Sequence, residues 1–450
     1  MTHGVGHDVT RQGEPDMTTV FKFGGASIKD ADAIRHLTPL LEEHTDRPLI
    51  VVVSAMGKTT NKLEALLAAA RSEGKEDAYR ECFEALQADH HEAMEALFGD
   101  SRDSPAERVD ALFDELDALH RKHRASPYAR HYDQTVCYGE LISTTIVAAW
   151  LNHCGIATDW HDARELVRTD ACHQAANLDW AATADAIRER LRGSECVALT
   201  QGFIGGTEHG DATTLGREGS DFSAAIFAHC LDAREVVIWK DVTGLFNADP
   251  RRFDNAIQLE RLSYAEATEL AWHGAKVIHP KTLGPLQEKS IPLTVRSFET
   301  PDATPSVIDA ERRFDAEAPS CILREEQVWI EVLPRDFAFM DEPRQHDILG
   351  RLVEAGLHAN LVDSSAMRFA LCLDNKPERL EQLIDSLEAD YEINREDGLT
   401  LLTVRHPQPG MMDTLSEGRE ALAERRNATT AQRLFRSSDC PETWHIPESR

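Results

Sequence analysis

The residues TQGFIGGTEHGDATTLGREGSDFSAA, Thr200 to Ala225, join an apolar run, Val197–Leu199, to a segment rich in Ala and Ile, Ser223–Leu231. The run reads as a buried strand and the segment as a helix, so the stretch between them is a strand-to-helix turn. Glycines and a Ser/Thr cluster dominate it, with a single arginine, Arg217, among several acids. Such a turn presents backbone N–H groups to an anion. Glycine permits the close approach and the positive φ that it needs. Arg217 carries a rigid fork suited to gripping a carboxylate or a phosphate at two points. An ordinary glycine-rich loop would lack this density of specific residues.

Outward from that turn the same plan repeats. Thr19–Phe23 is β-rich and runs into Gly24-Gly25 and a hydroxyl, with a helix from about Asp30. Leu49–Val53 is a continuous apolar strand of the kind buried in a parallel sheet, and it leads to Ser54-Ala55-Met56-Gly57-Lys58-Thr59-Thr60-Asn61. Gly57-Lys58-Thr59 invites a P-loop, but that motif needs a glycine five residues before Gly57, where Val52 stands. From Lys62 to about His131 the pattern is helical, broken near Gly74, Gly99–Pro105 and Pro127, and a further helix carries Tyr138-Gly139-Glu140-Leu141-Ile142-Ser143. Strands near Ala157–Trp160, Glu195–Leu199, Val236–Trp239 and Leu293–Ser297 alternate with helices, including Tyr264–Gly274 and Pro280–Lys289. Alternation of this kind implies an α/β domain with a mainly parallel sheet. Its ligands belong at the carboxyl ends of the strands, where the loop motifs fall. Lys22 before Gly24-Gly25 puts an ammonium beside a backbone cradle, as phosphoryl transfer requires.

Asp302–Ser320, with prolines and mixed charge, reads as a linker. Beyond it the alternation of Val328, Ile330 and Val332, a helix near Ile348–Val353, strands near Ala359–Val362 and Phe369–Leu373, a helix over Leu380–Leu387 and a strand over Leu399–Val404 make a βαββαβ unit. A short helix near Met411–Ser416 and a strand near Ala428–Phe435 follow, and the tail after Ser437 shows no periodicity.

A chain of 450 residues predicts two or three domains. Lys+Arg 48 against Asp+Glu 78 gives 48 − 78 = −30, spread along the chain, which repels nucleic acid and anionic membranes. A solvated acidic surface of this size suits a high-salt cytoplasm. Nine scattered cysteines with no CxxC pair predict reduced thiols in a cytoplasmic protein, with no disulfide framework and no metal site. Residues 1–16 lack an apolar core and read as a disordered leader, with His3 and His7 part of it rather than metal ligands. No run of eighteen apolar residues exists to span a membrane.

The motifs also carry a resemblance. KFGGAS at Lys22–Ser27, VVSAMGKTTN at Val52–Asn61, GE with a following serine at Gly139–Ser143, TTLGREGSD at Thr213–Asp221, DVTGLFNADPR at Asp241–Arg251 and GAKVIHPKTL at Gly274–Leu283 resemble, in order, the motifs of the aspartokinases. The resemblance covers roughly residues 18 to 308, and the βαββαβ unit is similar to the ACT domain that follows in that family. It implies an amino-acid-kinase fold, a three-layer αβα sandwich, over 17–308. A linker over 309–325, an ACT-like domain over 326–404 and a shortened second ACT-like unit with tail over 405–450 complete the expected division. The implied activity is transfer of the ATP γ-phosphoryl group, with Mg²⁺, to the side-chain carboxylate of L-aspartate, the first step toward lysine, threonine and methionine.

By that resemblance Lys22 and Lys276 bind phosphate, Asp221 holds the lysines, Arg217 clamps the substrate carboxylate with Thr60 beside it, and Glu140, expected at the start of its helix, faces the substrate ammonium. Gly24, Gly25, Lys240, Asp241, Phe246 and Arg251 fall at nucleotide positions, although Asp249 and Arg251 also suit a local turn bond. His279 reads as structural, because Pro280 opens a helix after it. Asn360, Ser364 and Ser365 fall in the effector loop for lysine or threonine.

Three departures stand out: Ala26 replaces the usual threonine, Lys240 a frequent threonine, and Asp341-Glu342-Pro343 the loop that often holds a glycine. The chain's end at Arg450 leads to the expectation of a monofunctional enzyme, and ACT edges to that of a homodimer or higher homo-oligomer. Rival readings are a relative acting on glutamate, acetylglutamate or a nucleotide, and a catalytically silent amino-acid sensor.

Overall fold

A computed structural model describes residues 18–45, 47–123, 126–275, 278–336 and 338–447. The leader over 1–16 and Lys276 lie outside the described residues. Two compact units emerge: residues to 244 with 278–310, and 245–277 with 311–450.

The first unit is built on β1 (Thr19–Phe23), β2 (Leu49–Val53), β3 (Thr158–His161), β4 (Val197–Gln201), the short pair β5 (Ile204–Gly206) and β6 (Ala212–Thr214), and β7 (Glu235–Lys240). Its main sheet runs in the order Ser306–Asp309, Leu293–Ser297, β7, β1, β2, β4, β3. Every pairing is parallel except that of Ser306–Asp309. β1, β2 and β4 are buried throughout, which explains the unbroken apolar character of β2 and makes Lys22 in β1 and Gln201 in β4 buried polar groups. Phe23 is in register with Val53 on one side and Trp239 on the other, and Val53 with Gln201. The turns after these strands therefore leave from one edge of the sheet.

Helices cover both faces. α1 (Ala31–Glu42), capped by Asp30 accepting the Ala33 N–H at 2.9 Å, packs with α2 (Thr59–Arg71), α3 (Glu76–Phe98), α4 (Ala106–His123) and α5 (Tyr128–His153) over Phe21, Phe23, Val51 and Val53. After α6 (Ala163–Leu166) and α7 (Trp180–Leu191), α8 (Gly219–Leu231) packs on β1 and β2. The Thr200–Ala225 stretch is not a single turn. An antiparallel β5–β6 hairpin interrupts it, and α8 begins at Gly219 rather than Ser223.

The second unit carries a six-stranded antiparallel sheet in the order Ala359–Ser365, Arg368–Asp374, Ser320–Pro334, Tyr391–Arg405, Thr430–Arg436, Ala423–Arg426. The helices Glu342–Glu354 and Pro377–Glu388 complete the βαββαβ order, with Ile348, Leu352, Leu380, Leu383 and Leu387 in one core with Val328, Ile330 and Phe369.

The units divide the chain differently from the sequence boundaries. Residues 245–277 belong to the second unit because Ala248 and Phe253 enter the same apolar cluster as Cys321, Leu402 and Phe435. A strand begins at Ser320, inside the expected linker. The tail is not featureless either: Trp444 is buried in that cluster and its N–H donates to the Arg252 carbonyl at 2.7 Å.

Candidate active site

Strand periodicity places the first charge. In β1, Phe21 and Phe23 join the core under α5, so Val20 and Lys22 point to the α8 face. There Asp221, in the first turn of α8, meets the Lys22 ammonium at 2.5 Å, with side-chain exposures of only 11% and 6%. Burial alone would raise the Asp221 carboxyl; Lys22 and then Lys240 outweigh it and hold the group below its ordinary range. Asp221 is thus an anion in the resting protein, and Lys22 is anchored by it.

The backbone beside Lys22 is cramped. A Cβ on Gly25 would stand 2.8 Å from both the Ala55 and the Gly57 carbonyl oxygens, and the Gly57 N–H already donates to the Gly25 carbonyl at 3.0 Å. The turns after β1 and β2 therefore close against each other through glycine backbone. Gly24 has room by comparison, its nearest atom being the Lys22 Nζ at 3.5 Å.

Glu140 sits on the buried side of α5, well inside the helix and not at its start as the sequence led us to expect. One oxygen, Oε1, accepts the Ala55 N–H at 3.2 Å, while Oε2 is buried without a hydrogen-bond partner among the described residues. Burial pushes this carboxyl up to about 8, against the smaller opposing effect of the Ala55 N–H. A buried acid with one unsatisfied oxygen is poised for a cationic partner.

Arg217 lies in the turn between β6 and α8, where Gly216 has φ +80° and Glu218 φ +54°. It is exposed and has no ion-pair partner among the described residues. The Lys281 ammonium braces this turn through the Leu215 carbonyl at 3.1 Å.

These groups share one cavity of about 790 Å³, whose lining includes Lys22, Gly25, Thr60, Glu140, Arg217, Asp221 and Lys240. Ser54, Tyr128, Tyr132, Gln174, Phe203 and Thr214 line it as well; apart from Ser54, Phe203 and Thr214, which lie inside quoted stretches, nothing in the sequence singled them out. Asp241 is exposed and does not line it. Phe246 and Arg251 belong to the second unit, where Arg251 forms a two-point bond to Asp249 at 3.0 and 2.8 Å. His279 is an N-cap, its Nδ1 accepting the Lys281 N–H at 3.1 Å. Also in the second unit, the Asn360 amide donates to Gln327 at 2.7 Å and Asp374 at 2.8 Å, Gln345 donates to the Ser364 hydroxyl at 3.2 Å, and Ser365 is exposed.

An ammonium paired to a buried carboxylate, a glycine backbone cradle, a second lysine, a free guanidinium and a buried acid awaiting a cation form a site able to hold a polyphosphate beside a small zwitterion. Among the described residues no cluster of three His, Cys, Asp or Glu side chains would hold a metal ion by itself.

Comparison with known proteins is consistent with that chemistry. The profile of the amino acid kinase family matches residues 17–297. Lysine-sensitive aspartokinase 3 of Escherichia coli (strain K12) is 30% identical over 399 residues, covering 86% of each chain. A bifunctional chloroplastic aspartokinase/homoserine dehydrogenase of Arabidopsis thaliana is 31% identical, and the chain spans 34% of it. Two crystal structures of E. coli aspartokinase III, each 27% identical, superpose over 94% of this chain and 97% of theirs. The complex with aspartate and ADP gives a TM-score of 0.79, and that with lysine and aspartate 0.78.

Proposed function

Because the chain belongs to the amino acid kinase family and, within it, to the aspartokinases, we propose that it transfers the γ-phosphoryl group of ATP to the side-chain carboxylate of L-aspartate, giving 4-phospho-L-aspartate and ADP. The observation that carries this reading is the buried, half-satisfied carboxylate of Glu140 in the same cavity as the free Arg217 and the Lys22–Asp221 pair.

Glu140 Oε2 takes the ammonium of aspartate and Arg217 its α-carboxylate, with Thr60 beside it. The side-chain carboxylate, ionised at neutral pH, needs no general base. Its oxygen forms the new bond to the γ-phosphorus as the bond to the bridging oxygen breaks, and the electron pair leaves with ADP. Lys22, held by Asp221, and Lys240 stabilise the migrating charge, and Gly24-Gly25 supply backbone donors to the phosphates. Lys276 is assigned to the same task. Mg²⁺ would be carried by the nucleotide, since no cluster of three acidic, His or Cys side chains among the described residues would hold it alone, and would neutralise charge on the phosphates.

Asp241, Phe246 and Arg251 complete the nucleotide assignments. A role in lysine, threonine and methionine synthesis follows from the product. Feedback by lysine is supported by the lysine complex of the E. coli relative; threonine as an alternative effector, and Asn360, Ser364 and Ser365 as the effector residues, follow from the motif resemblance. A cytoplasmic homodimer or higher homo-oligomer is the accompanying assignment.

The test is ADP release with Mg·ATP against aspartate, glutamate and acetylglutamate. Turnover with aspartate, abolished in Lys22→Ala, is expected; turnover with glutamate or acetylglutamate instead would overturn the acceptor.

A further inference from the structure

In the segment 173–176, Gln174 borders the cavity in a backbone conformation that a residue with a side chain does not favour. Gln174 has φ +70°, a left-handed conformation that costs a residue with a side chain about 1–2 kcal/mol. Asp133 on α5, with 0% exposure, holds it there. Its carboxylate accepts the Gln174 N–H at 3.0 Å, the His173 Nδ1–H at 2.8 Å and the Thr214 hydroxyl at 2.7 Å. The Ala176 N–H donates to the Thr214 carbonyl at 3.0 Å. On the far side of the segment a Cβ on Gly216 would stand 3.3 Å from the Gln174 carbonyl oxygen. The segment is therefore fixed between α5 and the turn that carries Arg217, and the Gln174 side chain lines the cavity with Arg217 and Thr214. Asp133 precedes Glu140 by 140 − 133 = 7 residues, close to two helical turns, so one face of α5 sets both.

We propose that Gln174 is a specificity-determining residue for the amino-acid acceptor and that Asp133 positions it. The carboxamide, donor and acceptor in one group, contacts the carboxylate end of the acceptor beside Arg217. Because α5 fixes Gln174 relative to Glu140, the two hold the acceptor's α-carbon in one place, so that the side-chain carboxylate of aspartate, and not that of its longer homologue, meets the γ-phosphoryl group in line. The inference rests on the acceptor reading above.

Glycine takes φ +70° without strain, so Gln174→Gly should melt at or above the wild-type temperature. Its KM for aspartate should nonetheless rise about tenfold, the loss of one hydrogen bond to a charged group, with kcat within about twofold. The aspartate-over-glutamate preference in kcat/KM should fall by a similar factor, and Gln174→Asn should recover part of it. Calorimetric titration of aspartate into both proteins with Mg·ADP present reads binding apart from turnover. Asp133→Asn should raise KM likewise, and the double variant Asp133→Asn/Gln174→Gly should be no worse than Gln174→Gly. Wild-type KM, affinity and selectivity in Gln174→Gly would overturn the proposal, and additive losses in the double variant would overturn the role of Asp133. If the wild type turns over a different amino acid, the acceptor reading fails, while the KM of Gln174→Gly for that amino acid still decides the role of Gln174.

Discussion

Glu140 shows how one residue's surroundings dictate a measurable property. Its carboxyl, pushed to about 8 by burial, is mostly protonated in the free enzyme at neutral pH. An arriving ammonium favours the ionised form, so binding expels a proton. The KM for aspartate should therefore fall about tenfold per unit as pH rises from 6 toward 8 and then level off; Glu140→Gln should raise KM and flatten the profile. Stability runs the opposite way. The folded-state value lies above the unfolded one near 4.5, so the fold binds the proton that the unfolded chain has released. Stability contributed by this group is complete below that lower value and is lost at about 1.4 kcal/mol per pH unit until the higher one is passed. Urea melts at pH 8 should accordingly find Glu140→Gln more stable than wild type. Lys22, Glu140, Arg217 and Asp221 were legible in the sequence because each sits in a dense local motif. Gln174 was not: its conformation depends on Asp133, some forty residues away (174 − 133 = 41), and no spacing rule connects them.

At the scale of elements, the turns after β1 and β2 act as one object because Gly25 lets their backbones touch. Gly25→Ala drives a methyl against two backbone oxygens at 2.8 Å, which cannot yield as a side chain would. A loss of about 1–3 kcal/mol in stability is expected, together with a large fall in turnover as the phosphate cradle moves from Lys22. Gly24→Ala is the control, since φ −78° suits alanine and its nearest neighbour is the flexible Lys22 Nζ at 3.5 Å. It should melt as wild type. Thermal melts with ADP-release rates distinguish the two, and equal effects would refute the backbone-contact account. Long periodic elements were legible, and the strand Leu293–Ser297 was expected with the bounds it has. The β5–β6 hairpin escaped notice because three-residue strands are too short to display a period. The strand from Ser320 was hidden by its charged middle, Arg324-Glu325-Glu326, where the pairing with Tyr391–Arg405 also slips register.

For the whole molecule, the quantity that dominates is net charge. The division of the chain was only partly legible, since a return of residues 245–277 to the second unit is a matter of where Ala248 and Phe253 find apolar neighbours, not of any composition shift. The charge was legible at once. At −30 over 450 residues, self-repulsion works against both compact units. Salt acts on two opposed quantities here. It screens the long-range repulsion, whose reach shrinks from about 10 Å at 0.1 M to about 3 Å at 1 M. It also weakens exposed pairs such as Arg395–Asp397 and Arg436–Glu396, each contributing only about 0–1 kcal/mol. The buried Arg405–Glu266 pair at 2.6 Å, with side-chain exposures of 7% and 6%, is shielded from salt by its surroundings. Repulsion summed over an unbalanced surface should outweigh scattered exposed pairs. The melting temperature should therefore keep rising between 0.15 and 1 M potassium chloride, by about 4 °C or more, the shift expected from ~1–2 kcal/mol in a unit of this size. Chloride and glutamate salts compared at equal ionic strength separate screening from specific ion binding. A curve that is flat or falls above 0.15 M would mean that the local pairs outweigh the net field and that the acidic surface is not an adaptation to salt.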